Sequence, residues 1–342
     1  MNPLAQDLDH VLAHTEGLWE ELRGQRIFIT GGTGFFGCWL LESFLWANDK
    51  LGLGASATVL TRNPDGFRKK APHLAGHRAV HLLMGDVRSF AFPEGEFSHV
   101  IHAATESSTK LNEQDPLAML DTIVQGTRRT LDFAVACGAR KFLFTSSGAV
   151  YGEQPPDLGH IPETYSGAPD TMDSRSAYGE GKRAAELLCA IYHRNSGIET
   201  KIARCFAFVG PYLPLDAHFA IGNFIGDAIR GGPIAVKGDG TPYRSYLYAA
   251  DMAIWLWTIL MKGAPCRPYN VGSDQELTIG QVAQCVSEVA GGQIPIQIAG
   301  QPGPGALARQ YVPATGRARA ELDLRQQVHL HVAVKRTLQC QL

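Results

Sequence analysis

The sequence lacks any apolar run long enough to cross a bilayer. Its longest, residues 35–46 and 253–261, fall well short of the about 20 residues a span needs. It also lacks net charge: −2 over 342 residues offers neither the basic stripe of a nucleic-acid binder nor a polybasic membrane face. The seven cysteines (Cys38, Cys137, Cys189, Cys205, Cys266, Cys285 and Cys340) show no CxxC and no even framework, which excludes a disulfide scaffold. A reduced, cytoplasmic setting is expected. The twelve histidines form no His/Cys cluster, so no metal is expected. The first 22 residues carry acidic side chains and no continuous apolar core. Leu4, Leu8, Val11, Leu12, Leu18 and Trp19 recur at helical spacing, which predicts a docked amphipathic helix rather than a leader.

What is present, in 45% hydrophobic content, is alternation of apolar strands and longer helical patterns. Strands are expected at 26–30 (RIFIT), 58–61, 80–84, 99–102, 141–145 (KFLFT) and 200–203, and helices at 35–47, 116–137 and 176–193. Fully apolar strands separated by helices imply a doubly wound parallel α/β sheet covered on both faces, a Rossmann-type arrangement. After about residue 206 the rhythm breaks, with more Gly and Pro. A smaller C-terminal substrate domain is therefore expected from 206–241 and 271–342, with 1–205 and 242–270 forming the dinucleotide-binding domain. The WLW at 255–257 reads as core, and AGQPGPGALARQ (299–310) as the mobile loop.

IFITGGTGFFG (27–37) places Gly31, Gly34 and Gly37 at GxxGxxG spacing between a strand and a helix. The first glycine allows a tight turn, the second a close backbone approach to a pyrophosphate, the third tight helix–strand packing. The helix N-terminus then faces the phosphate charge. Thr33, Phe35 and Phe36 belong to the same cradle. After the second strand an NAD enzyme is expected to carry an acidic ribose ligand, but the chain has Thr61, Arg62 and Asn63. Arg62 suits a 2′-phosphate, so the cofactor is NAD or NADP with a lean to NADP. Asp86 and Val87, in GDVR, and Ala103 and Ala104, in HAAT, complete the expected cofactor contacts.

YGEGK (178–182) puts Tyr178 and Lys182 one helical turn apart on one face. A phenol is a poor base at its reference pKa of about 10, and a neighbouring ammonium is expected to lower it. Upstream, FLFTSSGAVYG (142–152) offers Ser147 as a hydroxyl beside Tyr178.

Together with GD (85–86), the GT of QGTRR (125–129), ARCFAFVGP (203–211), GDGTPYRSYLYAADMA (238–253) and YNVGS (269–273), these strings resemble the extended short-chain dehydrogenase/reductase family of sugar-nucleotide epimerases and dehydratases. The resemblance covers about residues 26–325. It implies a sheet of about seven strands, a C-terminal nucleotide-sugar domain, and a homodimer through the helices at 116–137 and 176–195. It also implies Tyr178 as acid/base with Lys182 as its partner and as a cofactor contact. Ser147, Glu106, Asn223 and Arg244 become substrate contacts, Arg244 at the nucleotide diphosphate. Tyr248 and Asp251 match positions that follow Arg244 and read as packing at the domain junction. His218, in PLDAHFA, reads as a packing or surface histidine.

The chain departs from that family in four places. The Asp-Glu pair that dehydratases carry before VYG is Gly148 and Ala149, and sugar-acid decarboxylases carry a Glu there that this chain also lacks. The Asn of R-x-x-N-x-x-G-P is Ala207, and the Asn before x-x-G-T is Ile123. Conversely, Glu106 and Ser107 resemble the AES run of the dehydratases. The expected function is an epimerase of a nucleotide sugar. The alternatives are a 4,6-dehydratase using Glu106, a keto-sugar reductase, and a non-catalytic dinucleotide sensor, which an intact Ser147/Tyr178/Lys182 set argues against.

Overall fold

The computed structural model describes residues 2–105, 109–217, 219–303 and 307–340. Seven strands form one sheet: β1 (Arg26–Thr30), β2 (Ser56–Thr61), β3 (Val80–Met84), β4 (His99–His102), β5 (Lys141–Ser147), β6 (Glu199–Cys205) and β7 (Pro268–Val271). Their order is 3-2-1-4-5-6-7, and every pairing is parallel. The order reverses between β1 and β4, the place where an open α/β sheet leaves a ligand crevice at the carboxyl ends of its strands.

Successive side chains of a strand face opposite ways, and here both faces are buried. Ile27, Ile29, Val59, Ile101 and Leu143 enter one core; Phe28, Leu60, Val100, Phe142, Phe144 and Ile202 enter the other. The first core is closed by α1 (Ala5–His14), α2 (Phe35–Leu51) and α5 (Ala249–Lys262). The second is closed by α3 (Pro116–Ala136) and α4 (Ala177–Ser196). Asp115 caps α3 by accepting from the Ala118 N–H at 3.0 Å, with Pro116 at the first helical position, and Gly197 in the left-handed region ends α4. Trp255 and Trp257 are buried in α5, as read from the sequence.

Two expectations change. The N-terminal helix stops at His14, and Leu18–Trp19 follow a break at Thr15 and Gly17, where Gly17 turns left-handed (φ 77°). Trp19 then packs at a tilt against Trp257, 4.9 Å between centroids, and donates its indole N–H to Thr15 Oγ1 at 2.8 Å. The expected mobile loop is pinned at its end: Gln310–Tyr311 pairs in parallel with Tyr243–Arg244, which also pairs antiparallel with Leu277–Thr278. These short strands, with 208–209 beside 247–248 and 234–236 beside 296–298, lie outside the large sheet at its carboxyl edge. Among the described residues no helix is long and apolar enough to cross a membrane.

Candidate active site

The glycine cradle follows β1. Gly31 adopts φ 70°, and a Cβ there would collide with the Ala103 carbonyl; one at Gly37 would collide with the Gly32 backbone. Gly34 differs: a Cβ would meet only the Gly31 oxygen, at 3.4 Å, and the position is otherwise open. Gly34 is the N-cap of α2 and no side chain caps the helix, so first-turn N–H groups are left for a ligand. A pyrophosphate fits this arrangement: bare backbone on the open side, and glycine demanded by crowding on the other. Lys70 Nζ donates to the Thr33 carbonyl at 2.9 Å and ties the loop from outside. Phe36 packs edge-on against Phe208, 5.2 Å between centroids, with Phe35 edge-on to Phe36.

The ends of β1 and β4 are held together by His102. Its Nδ1 lies 2.7 Å from Thr30 Oγ1 and its Nε2 3.0 Å from Thr127 Oγ1. Burial pushes its pKa down to about 3, so the imidazole is neutral and structural. Ala104 N–H donates to Thr30 Oγ1, which fixes the backbone of 103–104 beside Gly31.

Asp86 is engaged locally. It accepts from Arg88 N–H and Nε at 2.9 Å and from Nη2 at 3.0 Å, and Arg88, then the more distant Arg62, holds its carboxyl below the usual range. The Val87 side chain turns into the second core. Arg62 is exposed just past β2. Glu106, Ser107 and His218 lie outside the described residues, and Asn223 sits half-buried in the helix Ala220–Ile229.

Ser147 closes β5, and Tyr178 and Lys182 lie on the first turns of α4. Asn112 sets the start of that helix, accepting from Tyr178 N–H at 3.1 Å and donating to the Arg175 carbonyl at 2.7 Å. Ser147 Oγ accepts from Ala149 N–H at 3.1 Å, while the adjacent Ser146 points the other way and donates to Glu186 at 2.6 Å, within an ion pair to Arg204. Lys182 Nζ donates to Thr105 Oγ1 at 2.8 Å and to the Thr145 carbonyl at 2.7 Å. Burial brings its pKa down to about 8, so it still carries its charge at neutral pH.

The expected effect of Lys182 on Tyr178 is not what this geometry gives. The ammonium is 5.9 Å from the Tyr178 ring centre and committed to Thr105 and Thr145. Burial raises the Tyr178 pKa, and the neighbour that pulls it down is the Ser147 hydroxyl. A phenolate here therefore needs further positive charge, which an oxidised nicotinamide supplies when bound.

Arg244, half-buried, donates Nη1 to the Tyr243 carbonyl at 2.7 Å. Tyr248 donates to Asp7 at 2.6 Å, and Asp251 Oδ2 accepts from Gln327 and Val328 N–H at 2.9 Å, so both are junction residues. Sequence reasoning missed two site residues, Phe206 and Tyr311, whose rings lie 4.7 Å apart over Gly148. Three HxxxH spacings, His10–His14, His73–His77 and His77–His81, are spent otherwise: the rings of the first pair lie tilted 4.2 Å apart, His73 and His77 pair with Glu42 and Asp49, and His81 is exposed on β3. Among the described residues no three metal-capable side chains gather.

A dinucleotide cradle at the switch point of a parallel sheet, with serine, tyrosine and lysine converging from β5 and α4, defines a short-chain dehydrogenase/reductase of the extended type. The NAD dependent epimerase/dehydratase family matches residues 27–272, and the chain belongs to that family as an NAD-dependent enzyme. It is 35% identical to UDP-glucuronic acid decarboxylase 5 of Arabidopsis thaliana, over 80% of this chain and 77% of that one. The fold matches dTDP-glucose 4,6-dehydratase of Streptomyces venezuelae, solved with NAD, at TM-score 0.79 and 24% identity, covering 92% of this chain and 96% of that one. It also matches UDP-glucose 4-epimerase of Thermus thermophilus in complex with NAD, at TM-score 0.75 and 25% identity, covering 92% and 98%.

Proposed function

We propose that the chain epimerises a nucleotide sugar through a transient keto intermediate, with Tyr178 as acid/base. One observation carries this reading. Positions 148–149 hold Gly and Ala, and the side-chain space at 148 is filled by Phe206 and Tyr311. Expulsion of water needs an acid for the leaving hydroxyl and a base for the carbon-bound proton, and neither position offers a titratable group. A cycle of oxidation and reduction needs neither.

Tyr178, ionised, takes the proton of a sugar hydroxyl, most simply at C4, as that carbon is oxidised. Ser147 holds the same oxygen. A nicotinamide dinucleotide held by the Gly31–Gly37 cradle would supply hydride acceptance and return at that carbon. Tyr178 returns the proton once the ketone has presented its other face. We infer that residues 206–241 and 271–342 hold the nucleotide portion, with Arg244 at the diphosphate and Asn223 lining the same side.

A second reading is favoured by the Arabidopsis relative: decarboxylation of UDP-glucuronic acid. Oxidation at C4 makes a ketone β to the C5 carboxylate. The C–C bond then breaks, CO2 leaves, and its electron pair passes into the enolate. The first step is the one assigned to Tyr178; the enolate must then take a proton at C5 and the C4 ketone must regain its hydride, and Gly148 and Ala149 offer no acid for that proton. Proton NMR of the enzyme with UDP-glucose, UDP-N-acetylglucosamine and UDP-glucuronic acid separates the two readings. An epimer with its six carbons intact supports the first reading, a UDP-pentose with CO2 replaces it by the second, and a 4-keto-6-deoxy product overturns both.

Cofactor choice rests on Arg62. Thr61, Arg62 and Asn63 stand where a ribose-binding carboxylate is expected at the end of β2, and a guanidinium there would suit a 2′-phosphate. Arg62→Ala is expected to weaken NADP by roughly 1–3 kcal/mol and leave NAD nearly untouched. A wild-type preference for NAD by titration calorimetry would reduce Arg62 to a surface charge.

Assembly is read from α3 and α4. Leu117 and Val135 on α3, and Leu187 and Ile191 one turn apart on α4, stand exposed on helices whose inner faces close the second core. Pairing across a two-fold axis would bury this strip in a closed homodimer. Leu187→Asp is expected to give monomers by light scattering; a wild-type monomer at micromolar concentration would contradict the pairing.

A further inference from the structure

The space above Gly148 is taken by a second phenol. A Cβ at 148 would lie 2.7 Å from the Tyr311 hydroxyl and 2.7 Å from the edge of the Phe206 ring. Tyr311 is anchored on three sides. Its ring tilts against Phe206, the Arg244 guanidinium lies 5.8 Å from its centre, and its backbone is fixed by the parallel ladder to Tyr243–Arg244. Its hydroxyl is thereby presented to the Ser147–Gly148 backbone. Burial raises its pKa well above the ordinary phenol value, with the Ser147 hydroxyl pulling down and the neighbouring Tyr178 pushing up. At working pH it stays a neutral hydrogen-bond donor.

The Ser147 hydroxyl has one proton to give and two lone pairs. One lone pair already accepts from Ala149 N–H. We propose that, before a sugar binds, the Tyr311 hydroxyl fills the second lone pair of Ser147 and so commits the Ser147 proton to the Tyr178 oxygen, making Tyr311 a positioning residue for the acid/base; a bound sugar hydroxyl then takes the place of one of these contacts. The proposal deepens, and rests on, the assignment of Tyr178. It also explains why Gly stands at 148: the chain spends that space on a phenol that orders the serine instead of on a carboxyl.

The other titratable groups facing the two phenols are Lys182 on α4, Cys205 at the end of β6 and Arg244 on the ladder. Lys182 is held by Thr105 and Thr145, and the Cys205 thiol, pushed up to about 12 by burial, is uncharged. Arg244 faces Tyr311 rather than Tyr178. The Ser147 proton is thus the adjustable contact of the Tyr178 oxygen among the described residues.

The test is a tyrosinate titration of the NAD-loaded protein by near-ultraviolet absorbance. Subtracting the curve of Tyr178→Phe from wild type isolates Tyr178. Subtracting Tyr311→Phe/Tyr178→Phe from Tyr311→Phe isolates it again without the second phenol. The midpoint is expected to rise by about one pH unit, roughly tenfold less phenolate at a fixed pH. Ser147→Ala should raise it at least as far, and adding Tyr311→Phe to Ser147→Ala should add nothing, because Tyr311 acts through the serine. An unchanged midpoint in a Tyr311→Phe protein that melts like wild type overturns the proposal; so do additive shifts in the double variant, the pattern of a purely structural role. No sugar is needed. If the midpoint moves as expected while no UDP-sugar is turned over, the proposed function fails and this inference stands.

Discussion

Tyr178→Phe is expected to lower turnover by at least about 10²–10⁴-fold on any accepted nucleotide sugar, the usual worth of one acid/base group. The substitution removes a single oxygen. The ring that packs against the second core stays, as do the Asn112 contact to the backbone N–H and the Lys182 contacts to Thr105 and Thr145. Melting temperature and dinucleotide affinity should therefore stay near wild type, which separates lost chemistry from lost structure. Full activity in this variant would refute the acid/base assignment whether the product is an epimer or a decarboxylated sugar. The remaining rate should also lose its dependence on the acid limb of the pH profile. Burial keeps the phenol neutral, so wild-type activity is expected to rise with pH until Tyr178 ionises.

Gly34→Val should abolish dinucleotide binding and leave the fold intact. Of the three cradle glycines only Gly34 offers this separation. A side chain at Gly31 meets the Ala103 carbonyl and a left-handed backbone, and one at Gly37 meets the backbone of Gly32, so both changes damage the fold itself. At Gly34 the first added carbon has room, and the isopropyl group extends into the volume that bare backbone leaves for a pyrophosphate. Calorimetric titration with NAD or NADP measures the loss, and circular dichroism with a melting curve checks the fold. Unchanged affinity after dialysis would move the cofactor elsewhere.

The parts of the molecule legible in the sequence are those in which local pattern and tertiary environment agree. β1, β2, β4, β5 and β6 are short apolar runs buried on both faces, β3 is an edge strand with the same apolar pattern, and α2, α3 and α4 carry the helical period and their caps, so these elements fall within a few residues of their expected places. β7 was visible only as the string YNVGS: four residues beginning with proline carry little pattern, and the strand exists because β6 offers an open edge. The N-terminal helix was read too long because helical spacing continues through Thr15 and Gly17, while backbone geometry does not. The YxxxK spacing, the TSSGAVYG string and the family resemblance put Ser147, Tyr178 and Lys182 forward, yet nothing in them gives the direction of the Lys182 ammonium, since Thr105 comes from the loop after β4 and the Thr145 carbonyl from β5. Tyr311 gave no signal at all. Its two-residue strand is defined by a partner near residue 243, and its place in the site is fixed by Phe206 and by the absence of a side chain at 148.

The ladder that joins Tyr243–Arg244 to Gln310–Tyr311 has a consequence for selectivity. Arg244, the residue assigned to the diphosphate, and Tyr311, which orders the acid/base, are register partners in adjacent strands. A nucleotide diphosphate that the proposed chemistry never touches would thus fasten the strand beside the one that tunes the proton. On the proposed reading, binding energy at the phosphates would be converted into alignment at the sugar, so a sugar presented without its nucleotide is expected to lose rate as well as occupancy. The handle of the proposed substrate would then arm the site for the ring.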